Sequence, residues 1–251
     1  MSELKCQNLS ASTVISLENL EHRFGLRRVF QDVTMQVGVG EVGIVMGANG
    51  AGKSTLLKIV AGLLPPTAGT ARVRIDGVEL DARQRRRYLG YVAPDLTLYR
   101  ELTGVENMEF FASLRGISLE RNDLKAMFEQ VGLRGRGRDL VGAYSSGMRQ
   151  RLKYAYALLG NPPILLLDEP TANLDTDGVA MVEQIIAAQQ NRPGGGLALI
   201  ATNEPREEQW GTTRVRLGMG PDRNEVVDIQ DAAVSEPETS SSGVKQVRHE
   251  G

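Results

Sequence analysis

A nine-residue segment constrains the fold of this chain more than any other part of its sequence. It follows a strand-like run at residues 43–46 and leads into a helix-like run at 54–62. Its residues are Gly47, Ala48, Asn49, Gly50, Ala51, Gly52, Lys53, Ser54 and Thr55. Glycines let the backbone curl until successive N–H groups point at one anion, and the following helix turns its positive end toward the same point. The alternative is a glycine-rich turn that carries lysine and serine by chance, but the flanking strand and helix favour a phosphate-binding loop. Lys53 would then reach the β- and γ-phosphates of a nucleotide, and Ser54 would bind Mg²⁺.

Two adjacent carboxylates, Asp168 and Glu169, follow the apolar run at residues 164–167. A strand that is apolar on both faces is typical of the middle of a parallel sheet. Asp168 is predicted to hold Mg²⁺, through water, and Glu169 to act as a general base or to polarise water. Adjacent carboxylates at a strand end are often only a solvated turn. The buried strand and the loop at Gly47 favour the metal site.

Strand-like and helix-like runs alternate along the chain, which predicts an α/β fold. The predicted strands are residues 14–18, 32–37, 43–46, 71–75, 89–92, 164–168, 197–202 and 213–217. Helical periodicity at 104–116 and 118–132 predicts two helices within a small helical subdomain at about 95–160. The apolar residues expected to pack these helices are Met108, Phe111, Leu114, Leu124, Met127, Phe128 and Val131. The folded domain is expected to span 14–229, with 1–13 and 231–251 as flexible tails.

Composition excludes several classes of protein. With 29 Lys and Arg against 31 Asp and Glu, the net charge of -2 creates no overall field that attracts nucleic acid. The apolar runs are too short to cross a bilayer. The single cysteine and the absence of a signal-peptide pattern predict a cytoplasmic protein. His22 and His249 lie far apart in sequence, which makes a zinc site improbable.

A third motif stands between the glycine-rich loop and Asp168, and reads Tyr144, Ser145, Ser146, Gly147, Met148, Arg149, Gln150, Arg151. It resembles the Leu-Ser-Gly-Gly-Gln signature of ATP-binding cassette (ABC) ATPases, and the three motifs stand in that family's order. Alone, the segment would be a helix start with Ser145 or Ser146 as N-cap. The resemblance covers residues 14–229. It implies a P-loop NTPase of ABC type, whose mixed central sheet is flanked by helices and accompanied by an antiparallel β region and a small helical subdomain.

The resemblance also implies a mechanism and partners. Two nucleotide-binding domains would meet head to tail, and each would bury ATP and Mg²⁺ between its own loop and the partner's Ser145, Ser146 and Gly147, with Ser145 and Gly147 touching the γ-phosphate. The second domain would be an identical chain or a paralogue. Residues 172–175 look like the loop that lines this interface, and are equally an N-cap for the next helix. An integral-membrane permease would dock on residues 103–131, which would hold the protein at the inner face of the cytoplasmic membrane.

Three positions depart from the family pattern. Phe24 stands where a tyrosine usually stacks on adenine, which preserves a ring face. Pro94 or Asp95 replaces a glutamine that touches Mg²⁺ and the attacking water; Asp95 could bind the metal but has no amide donor. Asn203 replaces a histidine, and can donate to a γ-phosphate oxygen but cannot take up a proton. We therefore expect ATP hydrolysis with slow turnover.

Two other functions are compatible with the sequence. Arginines at 83, 85–87, 134, 136 and 138 raise the hypothesis of a soluble ABC ATPase that acts on nucleic acid or ribosomes, although such proteins usually carry two cassettes or a long insertion. A nucleotide sensor that barely hydrolyses ATP is the other. The single short cassette favours a transporter subunit, and it looks like small exporter subunits that include the haem exporter of cytochrome c maturation. No nucleic-acid partner is expected.

Overall fold

A computed structural model describes residues 13–218 and 225–228 of the chain. The strands are β1 Thr13–Phe24, β2 Arg27–Val37, β3 Val42–Gly47, β4 Ala68–Ile75, β5 Val78–Glu79, β6 Leu89–Val92, β7 Ile164–Asp168, β8 Leu197–Thr202, β9 Thr213–Leu217 and β10 Glu225–Asp228. The helices are α1 Lys53–Val60, α2 Ala82–Tyr88, α3 Gly104–Leu114, α4 Arg121–Gln130, α5 Ser146–Ala157, α6 Thr176–Gln190 and α7 Pro205–Glu208, with a 3-10 turn at Val141–Ala143. The predicted tails lie outside the described residues, except that β1 already begins at Thr13.

A six-stranded sheet in the order β10-β9-β3-β8-β7-β6 forms the centre of the fold. Its strands run parallel except for β10, which is antiparallel to β9. Every residue of β7 and β8 is buried, as the unbroken apolar runs predict. The register pairs Met46 with Thr202 and Asp168 with Ala201. The carboxyl ends of β3, β7 and β8 therefore meet at one edge of the sheet, which is where α/β folds place their ligands.

A second, antiparallel sheet has the order β2-β1-β4-β5. The sequence predicts strands at 14–18 and 32–37, but β1 continues to Phe24 and β2 begins at Arg27. The register shifts along this pair, and Asn19 and Asp32 have left-handed φ values of 46° and 53°. These irregularities interrupt the two-residue alternation on which the prediction relied. The extended hairpin carries Phe24 to the neighbourhood of the phosphate loop.

Helices α3 and α4 occur where periodicity predicts them, and both pack against α5. Met108, Leu124, Phe128 and Val131 are buried, as expected. Leu114 was expected in the same interface but is 68% exposed. Leu114 is the last residue of α3, beyond the part of the helix that packs. Its position in the sequence therefore fits the apolar face, but its side chain lies in solvent. Within the described residues, no helix combines the length and apolar character needed to cross a membrane.

Candidate functional site

The glycine-rich loop connects β3 to α1 in a conformation that only glycine adopts easily. Gly47 and Gly52 have φ values of 152° and 101°. A Cβ at Gly52 would lie 2.3 Å from Val29 Cγ1, and one at Gly47 would lie 2.7 Å from the Leu217 carbonyl oxygen. Gly52 is the N-cap of α1, and in the described chain no side chain caps this end. The first N–H groups of α1 therefore remain available to an anion.

Lys53 points back along the loop and is only 6% exposed. Its Nζ donates to the carbonyl oxygens of Gly47, at 2.8 Å, and Ala48, at 3.3 Å. It also lies 3.3 Å from Glu169 Oε1. The loop lysine and the candidate general base are thus an ion pair in the structure.

Asp168 ends β7 beside Ser54, and its carboxylate is buried. Burial raises the pKa of Asp168, and the nearby Ser54 hydroxyl and Lys53 charge offset only part of this rise. The Ser54 hydroxyl lies near the carboxylate without hydrogen-bond geometry, so within the described part of the chain neither carboxylate oxygen has a hydrogen-bond partner. A buried acid without partners needs a ligand that satisfies it. Mg²⁺ prefers such oxygen ligands, so the residues present match a magnesium site.

Glu169 has a left-handed backbone, with φ of 50°. Its N–H donates to the Ala201 carbonyl oxygen at 2.8 Å, which ties the end of β7 to β8. This conformation is rare outside glycine and concentrates at functional sites. It turns the Glu169 side chain into the cleft that the phosphate loop borders.

Asn203 follows β8, and its Nδ2 donates to Asn49 Oδ1 of the loop at 2.9 Å. The structure therefore places the residue that replaces the expected histidine directly beside the loop. Asp95 lies elsewhere: its carboxylate accepts from Lys58 Nζ at 2.8 Å, and it borders a different depression from the loop cleft. Lys58 lowers the pKa of Asp95. The metal-binding role of Asp95 remains a prediction.

The loop cleft has a volume of about 860 Å³. Residues 49–55 and Glu169 line it together with Phe24 and the arginines Arg23, Arg27 and Arg28. Phe24 is 55% exposed, and its ring meets His22 edge to face at 4.6 Å. An exposed ring that is held in place is suited to stack on a base. The arginines were missed by sequence reasoning, although they surround Phe24 in the sequence.

The signature residues lie apart from this cleft. Ser145 Oγ accepts the Met148 N–H at 3.1 Å and caps α5, as the simpler interpretation predicted. In the described chain, Ser145, Ser146 and Gly147 do not line the loop cleft. A Cβ at Gly147 would lie 3.2 Å from the Asn173 carbonyl oxygen, so the signature and residues 172–175 adjoin. Ser145 and Ser146 are exposed and Gly147 is half-buried, so a nucleotide bound at Lys53 would leave this surface available to another molecule.

The family model described as ABC transporter matches residues 30–172, more than half of the 251 residues. The chain belongs to the ABC transporter family. It is an ATP-binding ATPase cassette, with the P-loop fold that the three motifs implied.

Relatives of this ABC cassette include transport proteins of several kinds. It is 39% identical over 175 residues to the cytochrome c biogenesis ATP-binding export protein CcmA of Xanthomonas axonopodis pv. citri, across 70% of this chain and 79% of that protein. It is 35% identical over 200 residues to the daunorubicin resistance ATP-binding protein DrrA3 of Streptomyces coeruleorubidus, across 79% of this chain but 62% of DrrA3. A dimeric structure of the ATP-binding cassette MJ0796 in a post-hydrolysis state, bound to ADP and Pi, has a TM-score of 0.70 and 26% identity, and the match covers 84% and 98% of the two chains.

Two residues of this ABC site gave no sequence signal. Glu207 of α7 and Tyr154 of α5 both bond to the turn that follows Glu169. Tyr154 lies in the helix that begins at the signature motif and Glu207 in a four-residue helix, and only the folded chain brings them to the site.

Proposed function

We propose that this ABC cassette is the motor subunit of a transporter. Two nucleotide-binding domains would close head to tail on two ATP molecules and drive a separate permease. The observation that carries the proposal is the division of the site: the loop cleft holds Lys53, Ser54 and Glu169, whereas Ser145 and Gly147 lie outside it. A twofold pair of cassettes would complete both sites.

The residues of the cleft have distinct roles in the proposed hydrolysis. Ser54 and Asp168 would hold Mg²⁺, which neutralises charge on the β- and γ-phosphates when bound. Lys53 would exchange its present partners for phosphate oxygens. Glu169, released from Lys53, would accept a proton from the attacking water.

Asn203 is one of two features that lead us to expect slow hydrolysis. Its amide can donate to a phosphate oxygen from its position beside Asn49, but it cannot titrate. The loop at Pro94 and Asp95 supplies no glutamine amide. Turnover is therefore proposed to be slow, and a purely nucleotide-sensing role is disfavoured because Glu169 is in place in the cleft.

The proposed partner is an integral-membrane permease, which would hold the protein at the inner face of the cytoplasmic membrane. Tyr99 and Phe110 expose aromatic rings beside α3, with ring centroids 5.1 Å apart. A groove of about 390 Å³ is bordered by Tyr156, whose ring contacts Phe111, a neighbour of both aromatic rings. Arg86 and Arg115 also border the groove. Export is the proposed direction, since CcmA is named an export protein.

The Glu169→Gln variant tests the proposal. Loss of the general base is expected to lower phosphate release by about 100-fold or more, while ATP binding persists. The trapped ATP should yield a species of about twice 27.3 kDa in gel filtration. Glu183→Gln, on the exposed face of α6, is the matched control and should behave as wild type. Equal phosphate release from the two variants, or a monomer at high concentration with ATP, would contradict the motor model.

A further inference from the structure

The turn that follows β7 holds a backbone conformation that it would not adopt alone. Glu169 has a φ of 50°, although its side chain is long and carries a Cβ. Such a conformation persists only where surrounding contacts determine it. The contacts on residues 169–171 therefore decide where the Glu169 carboxylate points.

Three elements supply these contacts. From β8, the Ala201 carbonyl oxygen accepts the Glu169 N–H at 2.8 Å. From α5, the Tyr154 hydroxyl donates to the Pro170 carbonyl oxygen at 2.7 Å. From α7, Glu207 Oε1 accepts both the N–H and the hydroxyl of Thr171. The third contact is the one made by a carboxylate.

Glu207 is an unusual residue to find in this place, because its side chain is 2% exposed. Burial raises the pKa of Glu207, and the nearby hydroxyls of Thr171 and Thr202 offset only part of this rise. Within the described residues its Oε1 accepts from Thr171, whereas its Oε2 has no hydrogen-bond partner. A buried acid is costly unless its hydrogen bonds are specific and well formed. An apolar side chain could fill the same space without that cost, so the bonds to Thr171 are what Glu207 contributes.

The position of Glu207 in the chain links two parts of the catalytic site. Asn203, beside the phosphate loop, stands four residues before it, and α7 begins two residues after Asn203. Thr171 stands two residues after Glu169. One side chain thus connects the segment that carries Asn203 to the turn that carries Glu169.

We infer that Glu207 is a positioning residue for ATP hydrolysis, which fixes the spacing between Asn203 and the Glu169 carboxylate through its two bonds to Thr171. The inference rests on the roles proposed above for Glu169 and Asn203. Glu207 itself touches no nucleotide in this scheme, because it does not line the loop cleft of the described chain. Loss of the Glu207 side chain should therefore slow the chemical step and leave nucleotide binding intact.

Steady-state phosphate release at varied ATP, together with the ATP-induced rise in melting temperature, tests the inference. Glu207→Ala is expected to lower kcat by about 10- to 100-fold and to leave KM and the melting shift near their wild-type values, because a small misplacement of a catalytic group has that cost. Glu207→Gln keeps an oxygen acceptor for Thr171 and should recover most of kcat. Thr171→Val removes only the hydroxyl donor and should give a smaller loss of kcat.

Glu208→Ala, one residue along α7, removes a carboxylate that pairs with Arg216 at 4.0 Å; it is the control for general damage to this helix and should keep a wild-type kcat. A wild-type kcat in folded Glu207→Ala would overturn the inference, as would an equal loss in Glu208→Ala or a raised KM at unchanged kcat. If Glu207→Ala does not fold, Thr171→Val decides, and an undiminished kcat there overturns it. Wild-type protein that releases no phosphate, or Glu169→Gln that is fully active, would instead contradict the proposed function.

Discussion

Lys53 carries a positive charge in a place that water scarcely reaches. Its Nζ donates to the carbonyl oxygens of Gly47 and Ala48, and the Glu169 carboxylate balances its charge. A triphosphate would bring oxygens of greater charge to the same ammonium group. Binding therefore replaces partners that the site already holds, and it frees Glu169 as it does so.

Lys53→Ala should abolish ATP binding. In wild-type protein, Mg²⁺ and ATP at 100 times Kd should add about 2.7 kcal/mol to the free energy of unfolding and raise the melting temperature by about 5–10 °C. Differential scanning fluorimetry of Lys53→Ala should show little of this shift. Lys58→Ala, on the same helix but paired with Asp95, is the control and should keep the full shift. A full shift in Lys53→Ala would contradict the role of Lys53.

The residues of the site differ in how far sequence reveals them. Lys53, Ser54 and Asp168 stand in motifs whose spacing is fixed by local backbone geometry, so sequence places them. Asn203 donates to Asn49 across 154 residues of chain, and no local pattern marks that pair. Glu207 belongs to a four-residue helix too short for any periodicity. Its contact with Thr171 depends on the sheet register.

Helix α2 is held to the fold by hydrogen bonds from one side chain, Arg85, and not by a buried apolar face. None of its seven residues is buried, so it has no apolar face and was not predicted as a helix. The Arg85 guanidinium instead donates to the carbonyl oxygens of Val60 at 3.3 Å, Ala71 at 2.7 Å and Leu80 at 3.2 Å. It thereby satisfies acceptors at the end of α1 and along β4. Burial lowers the pKa of Arg85.

Arg85→Lys should destabilise the protein. One ammonium group cannot reach three carbonyl oxygens that diverge, and hydrogen bonds from charged donors contribute about 1.5–3 kcal/mol each. We expect a loss of about 2–3 kcal/mol and a fall in melting temperature of about 4–10 °C. Arg86→Lys, at the next and exposed position of α2, should change the melting temperature little. Equal melting temperatures for the two variants would show that Arg85 is dispensable.

Whole elements were predicted best where burial is uniform. The residues of β7 and β8 are all buried, and their predicted bounds match the structure. The bounds of β1 and β2 were too short because left-handed residues at Asn19 and Asp32 break the alternation. Strand β5 has only two residues, and it gave no pattern to detect.

At the scale of the molecule, the central sheet separates two hydrophobic cores. Ile44 and Met46 of β3 face the core shared with α3, α4 and α5, whereas Val45 faces the core shared with the antiparallel sheet. This alternation along one strand joins a helical region and a β region into one body. Nucleotide chemistry and the proposed docking surface therefore rest on the same buried scaffold.

Phe110→Asp tests the proposed docking surface. Phe110 is 37% exposed, so a carboxylate there should leave the fold and basal phosphate release unchanged. When the protein is co-expressed with a candidate permease that wild-type protein retains, the variant should fail to co-purify with it, because a charge replaces apolar contact area. Gln184→Asp, which adds the same charge on the exposed side of α6, should still co-purify. Retention of the membrane protein by Phe110→Asp would exclude this surface.

The unpartnered carboxylate of Asp168 has a consequence for the life of the protein in a cell. Within the described residues, neither oxygen of this carboxylate at the end of β7 has a hydrogen-bond partner, and burial opposes its ionised form and raises the pKa of Asp168. The proposed binding of Mg²⁺ and nucleotide would remove that penalty and would lower the fraction of chains that open to a protease. A cell that is depleted of ATP would then degrade more of this protein.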